Sequence, residues 1–429
     1  MKFLFNIIFM YLFSTSIFAE DNIKFFIDAA LKNNLELNAE RKNKKSIKQN
    51  INISRSEFLP SLSVSGNQTS SQSTNRTNQS GANLSDTNQD SKTKTVSVDQ
   101  KVFQGFKGYN SLKKSELEFK QADHKLKKTE QKTILDATSA YFDFIFKDKN
   151  KKFNLSNIAL FERQVESDSA RLQKGEITLT DLAQSESSLA GANANLIKAT
   201  SELLASKTNF ERITREKIPN ANELNQKVDL NLPNTLNVAL DTAKQNNLDL
   251  LIAKLDYQIS KKELNIEKAK LSPSASINYS KSKNNDFSST VDNLDQESVN
   301  ATITWPIIKG GENISSIKKS SLNKQRSLLL AEDVENKVIT NTTNAWSKYQ
   351  SSKSVLSATE AQLKAAEIAN EGITLEYDSG NTRTTFEVIQ STSLLLDARI
   401  SFAKAERDFI ISKFELAYQL GTLSLNSIN

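Results

Sequence analysis

Residues 57–66 read EFLPSLSVSG, a proline followed by a run in which small polar and apolar side chains alternate. Alternation of this kind is the period of a β-strand, so Leu62 and Val64 share one face and serines occupy the other. Residues 271–280, LSPSASINYS, repeat the pattern around Ile277. A strand with one apolar face and one polar face is suited to a boundary between hydrocarbon and water.

The composition of the rest of the chain favours long helices and excludes several classes of enzyme. Its 429 residues include only 11 Gly and 5 Pro, the residues that interrupt helices. There is no cysteine and one histidine, which excludes disulfides, thiol nucleophiles and Cys/His zinc sites. His124 lies in the charged helical run KQADHKLKK, where we interpret it as solvated. The net charge of +6 comes from interleaved Lys and Asp/Glu, so no nucleic-acid surface is predicted.

The first residues have the order of a secretory signal peptide. Lys2 precedes an apolar run from Phe3 to Phe13, and a short polar stretch leads to Ala19. A transmembrane anchor is the alternative, but the apolar run is short for a span of about 20 residues. We therefore expect residues 1–19 to be removed on export. Without cysteine, the mature chain has no site for the lipid of bacterial lipoproteins.

The mature chain contains one structural unit used twice. At an offset of 213, the run Asn33, Asn34 and Leu35 matches Asn246, Asn247 and Leu248, and at an offset of 205 Gly105 matches Gly310. The predicted organisation is a first repeat at 20–218, a connector at 219–233 and a second repeat at 234–429. Because the offset changes between the matched blocks, the polar stretches at 67–93 and 281–298 are predicted to be loops.

Each repeat has the same order of predicted elements. A helix leads to a first strand beginning at Pro60 or Pro273, and a second alternating strand follows in KTVSVDQ (94–100) or VNATITW (299–305). This gives four strands per chain. Glycines then allow the chain to turn into a long helix, and glycines turn it again at the far end of that helix. The strand-to-helix turns are Gly105, Gly310 and Gly311, and the hairpin-tip turns are Gly175 and Gly380.

The helices are long enough to form extended coiled-coil hairpins. Gly108 to Lys174 contains no internal Gly or Pro over 67 residues, about 100 Å of helix. Apolar residues recur every seven positions in the shorter helix of each repeat, which predicts knobs-into-holes packing. The two series are Leu182, Leu189, Leu196, Leu203 and Phe210, and Val388, Leu395, Phe402, Phe409 and Leu416.

The number of predicted strands implies an oligomer if the strands span a membrane. Four strands cannot close a barrel, and open strand edges are not tolerated in lipid, so several chains must contribute to one barrel.

Seven motifs recur in order along the two repeats. They are NNLELN (33–38), VFQGFKG (102–108), QKGEITLTDLAQSESSL (173–189), NNLDLL (246–251), PIIKGGE (306–312), YDSGNTRTTFEVIQSTSLLLDAR (377–399) and ELAYQLGTL (415–423). Taken together, these motifs resemble the TolC-like outer membrane efflux protein family over nearly the whole mature chain.

The resemblance implies a mainly α fold with a small β part. It implies a homotrimer in which a helical barrel of long antiparallel hairpins crosses the periplasm and a 12-stranded β-barrel lies in outer membrane lipid. The implied function is an exit duct for efflux or type I secretion. The implied partners are a periplasmic adaptor and, through it, an inner-membrane transporter, with no cofactor. The chain has no GxxxxGK[ST] phosphate-binding loop, so the energy source would be that transporter.

The resemblance also implies a gate at the periplasmic hairpin tips. Thr180 and Asp181 match a family pair that bonds an arginine and a tyrosine on the other hairpin, here Arg383 and Tyr377. Glu387 and Gln390 match positions that line an acidic constriction. Asn381 is an insertion and Gln390 replaces an acid, so the second acidic ring is in doubt. The alternative for the two carboxylates is that they cap helix N-termini.

Two other functional classes share some of these features. An exported trimeric coiled-coil adhesin or structural envelope protein would also have heptads and a signal peptide. It would not need two matched strand pairs placed between antiparallel helices. A periplasmic enzyme is less favoured, because no carboxylate pair or metal-spaced cluster stands out from the surface acids.

Overall fold

The structure is a computed structural model that describes residues 23–219, 221, 224, 228, 230–288, 291–379 and 383–428. The expected signal peptide, Gly380 and Asn381 lie outside the described residues. The chain divides into two compact units. We call them the helical unit, formed by Met1–Glu40, Lys127–Leu248 and Lys337–Asn429, and the sheet unit, formed by Arg41–Leu126 and Asp249–Asn336.

The eight α-helices of the described residues show the internal duplication directly. The first four helices have 11, 22, 67 and 36 residues, and the next four have the same lengths in the same order. The duplication and the long uninterrupted helices predicted from the sequence are therefore confirmed. The helices are α1 (Ile23–Asn33), α2 (Leu35–Ser56), α3 (Lys107–Gln173), α4 (Leu179–Thr214), α5 (Leu236–Asn246), α6 (Leu248–Ala269), α7 (Glu312–Asp378) and α8 (Thr385–Leu420).

The strands form one four-stranded antiparallel sheet and one small hairpin. The strands are β1 (Ser61–Ser73), β2 (Arg76–Thr77), β3 (Asn83–Leu84), β4 (Thr87–Gln104), β5 (Ser274–Ser288) and β6 (Val291–Thr304). The large sheet has the order β1-β4-β5-β6, and β2 pairs with β3 beyond the end of β1. Four main strands match the predicted number.

The prediction of loops at 67–93 and 281–298 was wrong, because most of both stretches is strand. Ser73 still pairs with Thr87, and Lys281 still pairs with Glu297. Polar side chains cover both faces of these strand ends, so the alternation that reveals a half-buried strand is missing. The backbone ladder forms nonetheless, since each strand satisfies the amide and carbonyl groups of its neighbour.

Proline and glycine residues mark the junctions between helices and strands. Strands β1 and β5 begin immediately after Pro60 and Pro273. Gly105 has a φ of 58°, and a Cβ atom placed there would lie 2.4 Å from the Cβ of Ser272. The close approach of the chain after α6 therefore requires glycine at this position. Gly310 and Gly311, before α7, also have positive φ values of 53° and 79°.

The core of the helical unit brings together both ends of the described chain and residues from its middle. The ring of Phe26 lies 5.2 Å from that of Phe210, edge to face, and Tyr141 is fully buried beside them. Leu230, in the predicted connector, pairs with Ile428 through an antiparallel β-bridge. Each such buried side chain contributes about 1.5–3 kcal/mol. The described part of the connector is thus joined to the core.

Within the residues that the structure describes, no helix combines the length and the apolar character that a membrane span requires.

Candidate functional site

One face of the four-stranded sheet carries a continuous apolar row across all four strands. The pairing places Leu62 opposite Val98, Val98 opposite Tyr279, and Tyr279 opposite Val299. Paired residues in antiparallel strands point to the same side, so these four side chains share one face. Leu62 is 70% exposed and Val299 is 71% exposed in the single chain. Among the described residues, the two edge strands therefore present apolar side chains that are largely uncovered on this face.

The apolar band has a defined limit at its outer end. Val64 pairs with Val96, but the same row continues with Lys281 and Glu297, whose charged groups are 2.5 Å apart. A charged pair on this face marks the level at which hydrocarbon would give way to water. Toward the helices, the band continues through the rows Gln100–Ile277–Ala301 and Phe103–Ala275–Ile303.

The opposite face of the sheet is polar at the level of the apolar rows. Ser63, Ser97, Ser280 and Ser298 form one row across the four strands. The hydroxyls of Ser63 and Ser97 are 2.7 Å apart, and those of Ser280 and Ser298 are 2.9 Å apart. In the next row the side-chain amide of Asn278 donates to Asp99 at 2.6 Å. One sheet thus separates an apolar surface from a surface suited to water.

Exposed aromatic residues lie where the sheet meets the helices. Trp305 is 62% exposed, and its indole N–H donates to the carbonyl of Leu271 at 3.0 Å. Phe103 and Phe106 form an edge-to-face pair 5.7 Å apart. Aromatic residues with a satisfied polar group are typical of the boundary between bilayer core and headgroups.

Both helical hairpins contain a closely packed seam of small residues. The predicted heptad leucines of α4 are only half-buried, while the small residues three positions after them are buried. The same pattern of Ser, Ala, Ala and Ser occurs in α8. The buried series are Ser185, Ala192, Ala199 and Ser206 in α4, and Ser391, Ala398, Ala405 and Ser412 in α8. Small side chains let helices approach closely, so these series set the contact distance.

The serines that begin and end each seam are hydrogen-bonded to the long helix. Ser206 donates to Asp143 of α3 at 3.2 Å, and Ser412 lies 2.8 Å from the hydroxyl of Ser352 in α7. The amide of Asn370 in α7 donates to Ser391 at 3.0 Å. The fourth serine, Ser185, donates to Asp168 of α3 at 2.5 Å. Directional bonds of this kind fix the register of each hairpin.

The first turns of α4 and α8 have the same capping geometry. The hydroxyl oxygen of Thr178 accepts a hydrogen bond from the backbone N–H of Asp181. In return, the Asp181 carboxylate accepts one from the backbone N–H of Thr178 at 2.9 Å. Thr384 and Glu387 form the equivalent box, with the Thr384 N–H donating at 2.8 Å. These bonds lower the pKa of the Asp181 carboxyl, chiefly through the Thr178 hydroxyl. The pKa of Glu387 is lowered chiefly by the Thr384 backbone N–H and then by Arg383.

The predicted gate residues are all at the hairpin tips. Their hydrogen-bond partners in the single chain differ from those that the resemblance implied. Arg383 pairs with Glu376 at 2.6 Å and with Glu387 at 2.9 Å, all within the second hairpin. Thr180 and Gln390 are exposed. Gly175 turns the first tip with a φ of 75°. Asp181 and Glu387 thus cap helices in the single chain, as the alternative interpretation expected.

Tyr377 has a partner that the sequence did not suggest. Its side chain is 3% exposed, and its hydroxyl donates to Asp168 at 2.6 Å and lies 3.0 Å from the hydroxyl of Thr385. The guanidinium of Arg171 lies over the Tyr377 ring at 4.2 Å. Asp168 follows the buried Phe161 by seven residues. This heptad spacing is the feature of the sequence that could have predicted an inward-facing Asp168.

Removing either capping threonine is expected to loosen its hairpin tip. Thr384→Ala or Thr178→Ala leaves backbone N–H groups of the first turn without an acceptor, at a cost of about 0.5–2 kcal/mol. Hydrogen exchange of the first-turn amides of α8 or α4 should therefore become faster in the variant. Thr208→Ala, in the exposed middle of α4, is the matched control and should not change exchange at the tips. Unchanged tip exchange in Thr384→Ala would contradict the capping role.

A sheet with an apolar and a polar face, combined with duplicated helical hairpins, defines the protomer of a membrane channel. A profile of the family described as outer membrane efflux protein matches residues 26–214 and 239–422. The chain belongs to this family. The resemblance inferred from the sequence and the mainly α fold with a small β part are thereby confirmed.

Relatives and solved structures agree with the family assignment. The chain is 23% identical to the outer membrane efflux protein BepC of Brucella suis, covering 93% of this chain and 85% of that protein. It is 24% identical to the outer membrane protein TolC of Salmonella enteritidis, covering 96% and 84%. The CmeC outer membrane channel of Campylobacter jejuni has a similar fold, with a TM-score of 0.80, 14% identity and coverage of 93% and 85%.

The family assignment decides between the functional classes that the sequence left open. The chain is an outer membrane efflux channel, and the alternative of an exported adhesin or structural envelope protein is set aside. Its location is the bacterial outer membrane with an extension into the periplasm.

Within the described residues, no group of three or more His, Cys, Asp or Glu side chains is placed to hold a metal ion.

Proposed function

We propose that three copies of this chain form one continuous duct, with a 12-stranded β-barrel in the outer membrane. The observation that carries the proposal is the open four-stranded sheet. Its edge strands β1 and β6 have unpaired outer sides, yet the apolar row runs from Leu62 on one edge to Val299 on the other. Unpaired backbone groups are not stable in lipid, so the edges must pair with neighbouring copies. Twelve strands lie within the range of known membrane barrels.

The polar row of the sheet supports a water-filled lumen. In a closed barrel whose apolar face contacts lipid, the row of Ser63, Ser97, Ser280 and Ser298 faces inward. Small neutral hydroxyls hydrate the lumen without selecting one charge. We infer that the duct passes many solutes and that selection lies with the transporter it serves.

The hairpin tips are the proposed periplasmic entrance. A periplasmic adaptor would contact the tips and connect the duct to an inner-membrane transporter, which supplies the energy. The duct itself would carry out no catalysis and hold no cofactor. The gate set proposed from the sequence, Thr180, Asp181, Tyr377, Arg383, Glu387 and Gln390, lies at this end. Contacts between neighbouring copies at the tips would complete the gate.

Deletion of the gene tests the proposed function. Deletion cells should accumulate dyes and detergents that wild-type cells expel, and a plasmid copy of the gene should restore export. Secreted proteins are assayed in the same cells, because retention of protein with normal dye export would indicate type I secretion as the main role. Wild-type export of every tested dye and protein by the deletion cells would contradict the proposal.

The assembly is expected to be a trimer in detergent. Three chains of 47.9 kDa give about 140 kDa of protein, and four strands from each chain complete the barrel. Light scattering combined with absorbance measures the protein mass apart from the detergent. Release of the protein from membranes by salt alone, or a monodisperse monomer after detergent extraction, would overturn the trimeric barrel.

A further inference from the structure

One fully buried carboxylate joins both helical hairpins near their tips. Asp168 of α3 has no exposed surface, and its oxygens accept three hydrogen bonds. Ser185 of α4 donates at 2.5 Å, Tyr377 of α7 at 2.6 Å and Gln164 of α3 itself at 2.9 Å. Because Tyr377 also contacts Thr385 of α8, four helices meet at this group.

These hydrogen bonds oppose separation of the two hairpins more strongly than apolar packing would. A buried carboxylate is costly unless its oxygens are satisfied, and hydrogen bonds to a charged acceptor are about twice as strong as neutral ones. Burial and then the bond to Asp168 raise the pKa of Tyr377, so its hydroxyl keeps the proton that it donates. Separation of the hairpins would remove a donor and leave the charge of Asp168 partly unpaired.

The second hairpin holds its first seam serine with an amide instead of an acid. There the amide of Asn370 donates to the seam residues Ser391 and Thr392 at 3.0 and 3.2 Å. A neutral amide suffices for a contact within one hairpin. The acid at Asp168 supplies an additional acceptor, and that acceptor is used by Tyr377 from the other hairpin.

Asp181 makes a different set of bonds in the single chain. Its carboxylate already accepts from both the backbone N–H and the hydroxyl of Thr178 at the exposed start of α4. We propose that Asp168, not Asp181, is the positioning residue that holds the two hairpins of one chain together, and that its bond to Tyr377 must break before the tips separate. This inference rests on the proposed function, because it treats the tips as a gate.

The test uses the full-length trimer and two independent readouts. The first is single-channel conductance in planar bilayers. The second is the rate at which a maleimide labels Val388→Cys, a site that is 5% exposed beside the cluster in a chain without native cysteine. Asp168→Asn should raise conductance and speed the labelling by about tenfold or more, since a bond to a charged group is lost. Glu166→Gln, an exposed acid on the same helix, should leave both readouts unchanged.

A double-mutant cycle distinguishes loss of the Asp168–Tyr377 hydrogen bond from a general loosening of the helical unit. Tyr377→Phe should also speed labelling at Val388→Cys, and the double variant with Asp168→Asn should label no faster than the faster single variant, because both changes break one bond. Labelling at Ala137→Cys, in the core of the helical unit, should stay slow in all of them. If Asp168→Asn does not assemble, Tyr377→Phe alone is decisive, and Ser185→Ala should have a smaller effect because its bond stays within one hairpin.

The outcomes distinguish this inference from the proposed function. A wild-type labelling rate in Tyr377→Phe, or additive effects of the two substitutions on that rate, would overturn the proposal that the Asp168–Tyr377 bond holds the hairpins together. Faster labelling in Asp181→Asn with normal labelling in Asp168→Asn would assign the role to Asp181 instead. A wild-type trimer that conducts no ions would count against the proposed duct, while the labelling rates would still decide whether Asp168 holds the hairpins together.

Discussion

Replacing Val299 with arginine is expected to prevent the protein from assembling in the outer membrane. Val299 is at the edge of the row that Leu62, Val98 and Tyr279 complete, and it is 71% exposed on the apolar face. Arginine near the middle of the bilayer costs about 2–4 kcal/mol. Three substitutions in one barrel therefore cost about 6–12 kcal/mol. The measurement is the yield of trimer in the outer membrane fraction on unheated gels.

The controls for this prediction come from the neighbouring rows. Ser298→Arg changes the adjacent residue on the polar face and should assemble much better, because its guanidinium can reach lumen water. Val64→Arg should have an intermediate effect, since its row already contains the Lys281–Glu297 pair. Equal loss of trimer in Val299→Arg and Ser298→Arg would show that the two faces are wrongly assigned.

Opening the entrance is the second large effect expected. Arg383→Ser combined with Tyr377→Phe should raise single-channel conductance without reducing the yield of trimer. Arg383 lies between Glu376 and Glu387, so its removal leaves two acids without their shared cation. Loss of the Tyr377 hydroxyl removes the bond between the hairpins. Both changes weaken the closed arrangement of the tips by different means.

The control removes a cation that takes no part in the tip contacts. Lys364→Ser changes an exposed residue of α7 and should leave conductance at the wild-type value. Wild-type conductance in a correctly assembled Arg383→Ser, Tyr377→Phe double variant would contradict the gate. In that case Glu387 would retain only its role in capping α8.

Much of the fold followed from the sequence because its signals are local. The scarcity of glycine and proline predicted α3 and α7, and Pro60 and Pro273 marked the starts of β1 and β5. The polar outer parts of the strands were missed for a physical reason. A strand with water on both faces has no alternation of apolar and polar residues, so its pattern is the same as that of a loop.

The contacts at the tips were harder to predict because they join distant parts of the chain. Tyr377 and Asp168 are 209 positions apart, and nothing in either local sequence names the other as its partner. The leucine heptads identified the correct helices, whereas the serines that begin and end each seam have no apolar periodicity of their own. Small side chains carry a weak hydrophobic signal even where they determine how closely two helices pack.

The difference between Asp168 and Asn370 has a consequence for the symmetry of the entrance. Two similar hairpins from each of three chains would give six nearly equivalent hairpins around one axis. Among the described residues, the hairpin formed by α3 and α4 has a buried acid in its seam, while the hairpin formed by α7 and α8 has an amide. The apparent sixfold arrangement is therefore reduced to threefold. A ring-shaped partner with six copies would meet two alternating kinds of binding surface, and its subunits would have to adapt to both.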